Sequence, residues 1–102
     1  MNLSRIVGFD WDAGNARKNE KHGVTQAEIE QMFLRQPLII APDPGHSATE
    51  SRYHALGRTD QERLLHVTFT LRGGGILIRP ISARTLHRKE RPIYAAALKA
   101  NP

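Results

Sequence analysis

Ile76-Leu77-Ile78-Arg79-Pro80-Ile81-Ser82-Ala83-Arg84-Thr85-Leu86-His87-Arg88-Lys89-Glu90-Arg91 is the stretch on which the reading of this chain turns. It opens as an apolar β-type run, passes Arg79-Pro80-Ile81, and reaches Ser82, a residue type suited to a helix N-cap. With Ser82 as cap, the spacing predicts a helix in which Arg84, His87, Arg88 and Arg91 share one face at i, i+3, i+4 and i+7. Glu90 falls three residues past His87, within its reach. A strand that delivers a cationic segment into solvent is a place to hold a polyanion. The plainer reading is a solvated amphipathic helix with a basic outer face.

Working outward from that stretch, Arg72-Gly73-Gly74-Gly75 reads as a hairpin turn fed by the clearest strand pattern in the chain. In Leu64–Leu71, Leu65, Val67, Phe69 and Leu71 point one way, and His66, Thr68 and Thr70 the other. Arg52–Gly57 is a further strand, closed by the polar turn Arg58–Arg63. On these strand faces His54 and His66 carry no chemistry in the sequence reading. Upstream, Leu38–Ala41 is a short buried strand followed by a turn-rich loop, Pro42-Asp43-Pro44-Gly45-His46-Ser47.

The N-terminal third holds a strand at Ile6–Trp11 and two helices. Asp12 and Gly23 bracket the first as N-cap and C′ residue. That helix has almost no apolar face, so it serves ion pairing or binding rather than core packing. Asn15, Lys18, Asn19 and His22 share one side of it, and Arg17 and Lys21 form a basic pair on another. Thr25-Gln26-Ala27-Glu28 is a capping box with Val24 and Ile29 placed as a hydrophobic staple. Ile29, Met32 and Phe33 then form an inward stripe, and Pro37 stops the helix. At the other end Pro92 disfavours helical geometry at Arg91, so a break is expected there, with a last helix over Ile93–Ala100. The predicted order is βααββββα, an α+β fold with an antiparallel-dominated sheet, in one domain over residues 1–102.

Bulk composition narrows the function. Cysteine is absent, which excludes disulfides, thiolate chemistry and thiolate-bound zinc. The five histidines show no H-x3-H pairing, so neither a metal nor another cofactor is expected. No apolar run approaches a membrane span, the start of the chain lacks the apolar core of a signal peptide, and a cytoplasmic protein is expected. Fifteen Lys and Arg against ten Asp and Glu give a net charge of +5, which favours nucleic acid or an acidic protein as partner.

Two segments together, Phe9–Val24 (F-D-W-D-A-G-N-A-R-K-N-E-K-H-G-V) and Ile78–Glu90 (I-R-P-I-S-A-R-T-L-H-R-K-E), resemble the BrnT family of bacterial type II toxin–antitoxin toxins. Pro42–Ser47 and Gly57-Arg58 lie between them in the expected places, and the likeness runs from about Phe9 to Tyr94. The matching positions are Trp11, Asp12, Lys21, His22 and Gly23, then Ser82, Arg84, Lys89 and Glu90, whereas Pro92 departs from the pattern. The resemblance implies a RelE-like fold and a metal-independent ribonuclease that arrests growth. It also implies a ribbon-helix-helix antitoxin of the BrnA type, with DNA contact through the complex.

RNA can be cut without metal when its 2′-OH attacks the adjacent phosphorus, given a base, an acid and cations for the phosphoryl oxygens. On this reading Arg84 holds the scissile phosphate, assisted by Arg52 or Arg79, since arginine offers a rigid, permanently charged fork. His87 or His22 is the acid–base group, with Glu90 orienting His87. Lys18, Lys21 and Arg88 hold flanking phosphates. The competing reading is a non-catalytic basic module for nucleic acid or an acidic protein, and a third makes the basic surface an antitoxin-docking face. The few aromatic residues argue against a stacking platform for single strands.

Overall fold

The computed structural model describes residues 3–46 and 50–100, with elements in the order expected from sequence. Strand β1 (Gly8–Phe9) leads to helices α1 (Ala13–Lys21) and α2 (Gln26–Phe33). Strands β2 (Ile39–Asp43), β3 (Arg52–Arg58), β4 (Leu64–Arg72) and β5 (Leu77–Thr85) follow, then helix α3 (Arg91–Ala100). The sheet runs β1-β5-β4-β3-β2, with β1 parallel to β5 and every other pair antiparallel. The fold is α+β, and no helix among the described residues is long and apolar enough to cross a membrane.

Local signals set most element ends. Thr25 and Glu28 close the capping box at the start of α2, and Val24 and Ile29 are fully buried. That helix ends at Phe33, before Pro37. Asp12 caps α1, with Gly23 in the left-handed region just past its end. Gly73, Gly74 and Gly75 all take positive φ in the β4–β5 turn, a run that side-chain-bearing residues would resist. The first strand is shorter than the predicted Ile6–Trp11, because only Gly8 and Phe9 find ladder partners in Leu77 and Ile78. Pro42 extends β2 to Asp43 on an edge of the sheet, where a missing N–H costs least. The loop expected at Pro42–Ser47 reduces to a short helical turn over Pro44–His46, with Ser47 outside the described residues.

The predicted helix after Ser82 does not form. Strand β5 continues through Ser82, Ala83 and Arg84 to Thr85, paired with Leu65–Thr68 of β4. The register shifts at Thr68/Phe69: Ser82 faces Thr68 and Pro80 faces Phe69, so Ile81 is the extra residue of a β-bulge. That one residue breaks the period-2 alternation, with Ile78 and Ala83 buried on opposite sides of the interruption. Arg84, His87, Arg88 and Arg91 therefore share no helix face. The final helix starts at Arg91, with Pro92 in its first turn, where the N–H that proline lacks would have had no intrahelical partner.

Two apolar clusters hold the sheet. Ile29, Met32 and Phe33 of α2 pack with Leu65, Val67 and Phe69 of β4 and with Ile78 and Ala83 of β5. Leu56 and Leu86 pack with Tyr94 of α3, whose hydroxyl donates 2.7 Å to the carbonyl of Pro37.

Candidate active site

Beside the Tyr94 cluster the sheet carries polar residues. Cross-strand partners share a face, so Leu56, His66 and Arg84 form one row, and His54, Thr68 and Ser82 the next. Arg84 meets Glu90, which stands in the turn before α3, through a two-point fork: Nη1 donates 2.7 Å to Oε1 and Nη2 donates 3.1 Å to Oε2. Glu90 Oε1 also accepts the backbone N–H of His87 at 2.8 Å, and Oε2 lies 2.6 Å from His66 Nδ1. The file continues across the strands toward the β2 edge of the sheet. His66 Nε2 is 2.9 Å from His54 Nδ1 with the rings at 90°, and His54 Nε2 is 3.0 Å from Asp43 Oδ2.

The electrostatics follow from these contacts. Arg84, the His87 amide and His66 together hold the Glu90 carboxyl down at about 2, against the opposing effect of partial burial. Burial, aided by the nearby Arg84 cation, pushes His66 below its ordinary value although Glu90 pulls the other way. Burial wins because the His66 side chain is only 13% exposed, which favours the uncharged ring.

A second set of cations lies around a groove of about 390 Å³ that Lys18, Arg52, Arg72 and Arg79 line. Arg79 donates 2.7 Å to Asp12 and lies 3.4 Å from Asp10, which raises its basicity. The carboxyl of Asp12 is lowered first by the Asn15 backbone N–H it caps and next by Arg79. Arg72 pairs with Glu50 at 3.2 Å. Arg52, by contrast, is half-buried and has no ion-pair partner among the described residues.

Helix α1 is placed by asparagine. Asn15 Nδ2 donates to the carbonyls of Asp10 and Pro80, both at 3.0 Å, while Asn15 Oδ1 accepts the N–H of Asp12 at 2.8 Å. Asn19 is buried behind it and donates 2.8 Å to the Asn15 carbonyl. This explains how a helix without an apolar face is held: its inward side fastens to β5, beyond the point where β1 stops pairing. Lys18 is thereby turned to the groove, and His22, at the C-cap, borders a hollow with Ser82, Ala83 and Arg84.

Of the residues named from sequence, the structure brings Arg84 and Glu90 into contact, with His22 close by, and gathers Arg52, Arg79 and Lys18 at the groove. His87 touches Glu90 through its backbone, not its ring, so Glu90 does not orient the imidazole as the helical spacing implied. Arg88 and Lys21 stand exposed. No local sequence pattern marks His66, His54 and Asp43 as members of one cluster. The alternation in β4 did place His66 on the polar face, but only the β3–β4 register brings His54 to it.

Such a sheet face, with arginines around a carboxylate–imidazole file and a basic groove beside it, belongs to a small α+β protein whose charge favours a polyanion. The particular family is given by the sequence. The chain belongs to the BrnT family, the ribonuclease toxins of type II toxin–antitoxin systems, which it matches over residues 11–90. That span opens at Trp11, whose indole N–H donates 2.8 Å to Glu30, and closes at Glu90. No curated protein matches the chain. Family membership makes RNA the substrate and an antitoxin the partner.

Proposed function

We propose that this toxin cuts RNA by internal transesterification without a metal ion, and that the reaction takes place on the sheet face around Arg84. The observation that carries the reading is the contact of Arg84, Glu90 and His66 in one cluster. Arg84 is 36% exposed, so it can offer N–H groups to a scissile phosphate while Glu90 fixes the rest of its fork. Arg52 and Arg79 supply further positive charge, and Lys18 and Lys21 hold flanking phosphates. The acid–base role falls to His66 in preference to His87 or His22, because His66 is the imidazole joined to Glu90. We further propose that one cytoplasmic domain carries the whole activity. In this reading a ribbon-helix-helix antitoxin of the BrnA type neutralises it by covering the basic face, and DNA contact comes through that partner.

Induced expression of the wild type and Arg84→Ala in parallel tests the reading, with growth, total RNA integrity and folding followed together. Arrest with RNA loss in the wild type alone is the expected result. Arrest by both, with RNA intact, would replace cleavage by a binding mechanism.

A further inference from the structure

Asp43, His54, His66 and Glu90 stand in an unbroken file from β2 through β3 and β4 to the turn before α3, with successive contacts of 3.0, 2.9 and 2.6 Å. At such separations a proton must lie between each pair of heavy atoms, since facing lone pairs would repel. Three contacts need three protons, and two neutral imidazoles carry two. We propose that the His54–His66 pair shares one proton beyond the neutral complement and is the proton store of the cleavage reaction, an inference that rests on the ribonuclease reading for its role.

The arrangement assigns every hydrogen. His54 donates Nε2–H to Asp43, one N–H lies between His54 Nδ1 and His66 Nε2, and His66 donates Nδ1–H to Glu90. Thr68 Oγ1, 3.1 Å from His54 Nδ1, is placed to accept a share of that donor. Arg84 Nη2, 2.8 Å from His66 Nδ1, gives one of its two hydrogens to Glu90 Oε2. Groups facing the pair come from each neighbouring strand: Asp43 on β2, Arg52 beside His54 on β3, Thr68 on β4, and Ser82 and Arg84 on β5.

In the reaction the 2′-oxygen forms a bond to phosphorus, the bond from phosphorus to the 5′-oxygen breaks, and the 5′-oxygen needs a proton. The extra proton reaches that oxygen through His66, leaving both rings neutral, and the proton leaving the 2′-hydroxyl returns to His66 and restores the pair. One proton has then passed from the 2′- to the 5′-oxygen, and the pair ends as it began. His54 and Asp43 are positioning residues here: they set where the proton rests and how strongly it is held.

The test begins with 15N-histidine NMR of the full-length wild type at pH 7. Three protonated nitrogens among the four of His54 and His66 are expected, whereas two would overturn the shared proton whether or not the protein cuts RNA. Single-turnover RNA cleavage against pH, for the wild type and Asp43→Asn with folding checked, tests the role. Removing the Asp43 charge weakens the hold on the proton, so the alkaline fall in rate is expected to move to lower pH by about one unit or more. An unmoved alkaline limb in a folded, active Asp43→Asn would overturn the role in catalysis. Absence of cleavage by the wild type would instead sink the ribonuclease reading and leave the nitrogen count to stand or fall alone.

Discussion

Arg84 and Glu90, six positions apart in sequence, face each other through two parallel contacts of 2.7 and 3.1 Å, one at the end of a strand and the other in the turn before the last helix. Their pairing aims the guanidinium across the sheet face and anchors His66 by the same carboxylate. Arg84→Ala is therefore expected to lower the cleavage rate by about 10²–10³-fold, the range for removing a donor that meets developing charge. RNA affinity should change far less. Measuring rate and affinity on one short RNA checks this; equal losses in both would make Arg84 a binding residue only.

Acid stability should depend on the same pair. The Glu90 carboxyl is held at about 2, below its ordinary 4.5. A depressed carboxyl contributes stability that is fully present above the ordinary value and is lost as pH falls through the folded one. Urea midpoints of the wild type should accordingly fall between about pH 4.5 and pH 2. In Glu90→Gln that part of the slope is expected to be shallower, and an unchanged slope would count against the Arg84–Glu90 geometry.

Asn15 is expected to be structural. Asn15→Ala removes the donor to the carbonyls of Asp10 and Pro80 and the acceptor for the Asp12 N–H. Leaving buried polar groups without partners costs about 1–3 kcal/mol. Denaturant unfolding should show a loss in that range, with α1 released from β5. A loss under about 0.5 kcal/mol would contradict the role given to asparagine in seating this helix.

Lys18 should act only through charge. It is exposed at the groove, and Lys18→Ala is expected to weaken RNA binding while leaving the single-turnover rate at saturation unchanged. Each lost phosphate contact with a single strand lowers the slope of log affinity against log salt by about 0.7. A salt titration of the variant beside the wild type reads this directly, and parallel slopes would remove Lys18 from the phosphate contacts.

Much of the fold was legible because its signals are local. The Thr25–Glu28 capping box, the three glycines after β4 and the strict alternation of Leu65, Val67 and Phe69 each depend on residues close together in the chain. The stretch after Ser82 misled for an equally physical reason: the bulge at Ile81 shifts the strand's alternation by one residue, and what remains matches helical spacing. The site was half legible. Arg84 and Glu90 were named, but through a shared helix face rather than a strand and a turn. His54 and His66 needed the β3–β4 register, Leu56 opposite His66 and His54 opposite Thr68, which no window of sequence contains. The polar character of α1 was evident, while its cause, a buried Asn15 fastened to β5 with Asn19 buried behind it, depends on where β1 stops pairing.

In the proposed reaction the Arg84 face cuts RNA through the RNA's own 2′-hydroxyl. The most direct measurement is cleavage of a defined RNA by purified protein with excess chelator, followed by identification of the new ends. Cleavage that persists and leaves 2′,3′-cyclic phosphate and 5′-hydroxyl ends is the result expected. Cleavage abolished by the chelator, or products bearing 5′-phosphate, would contradict it.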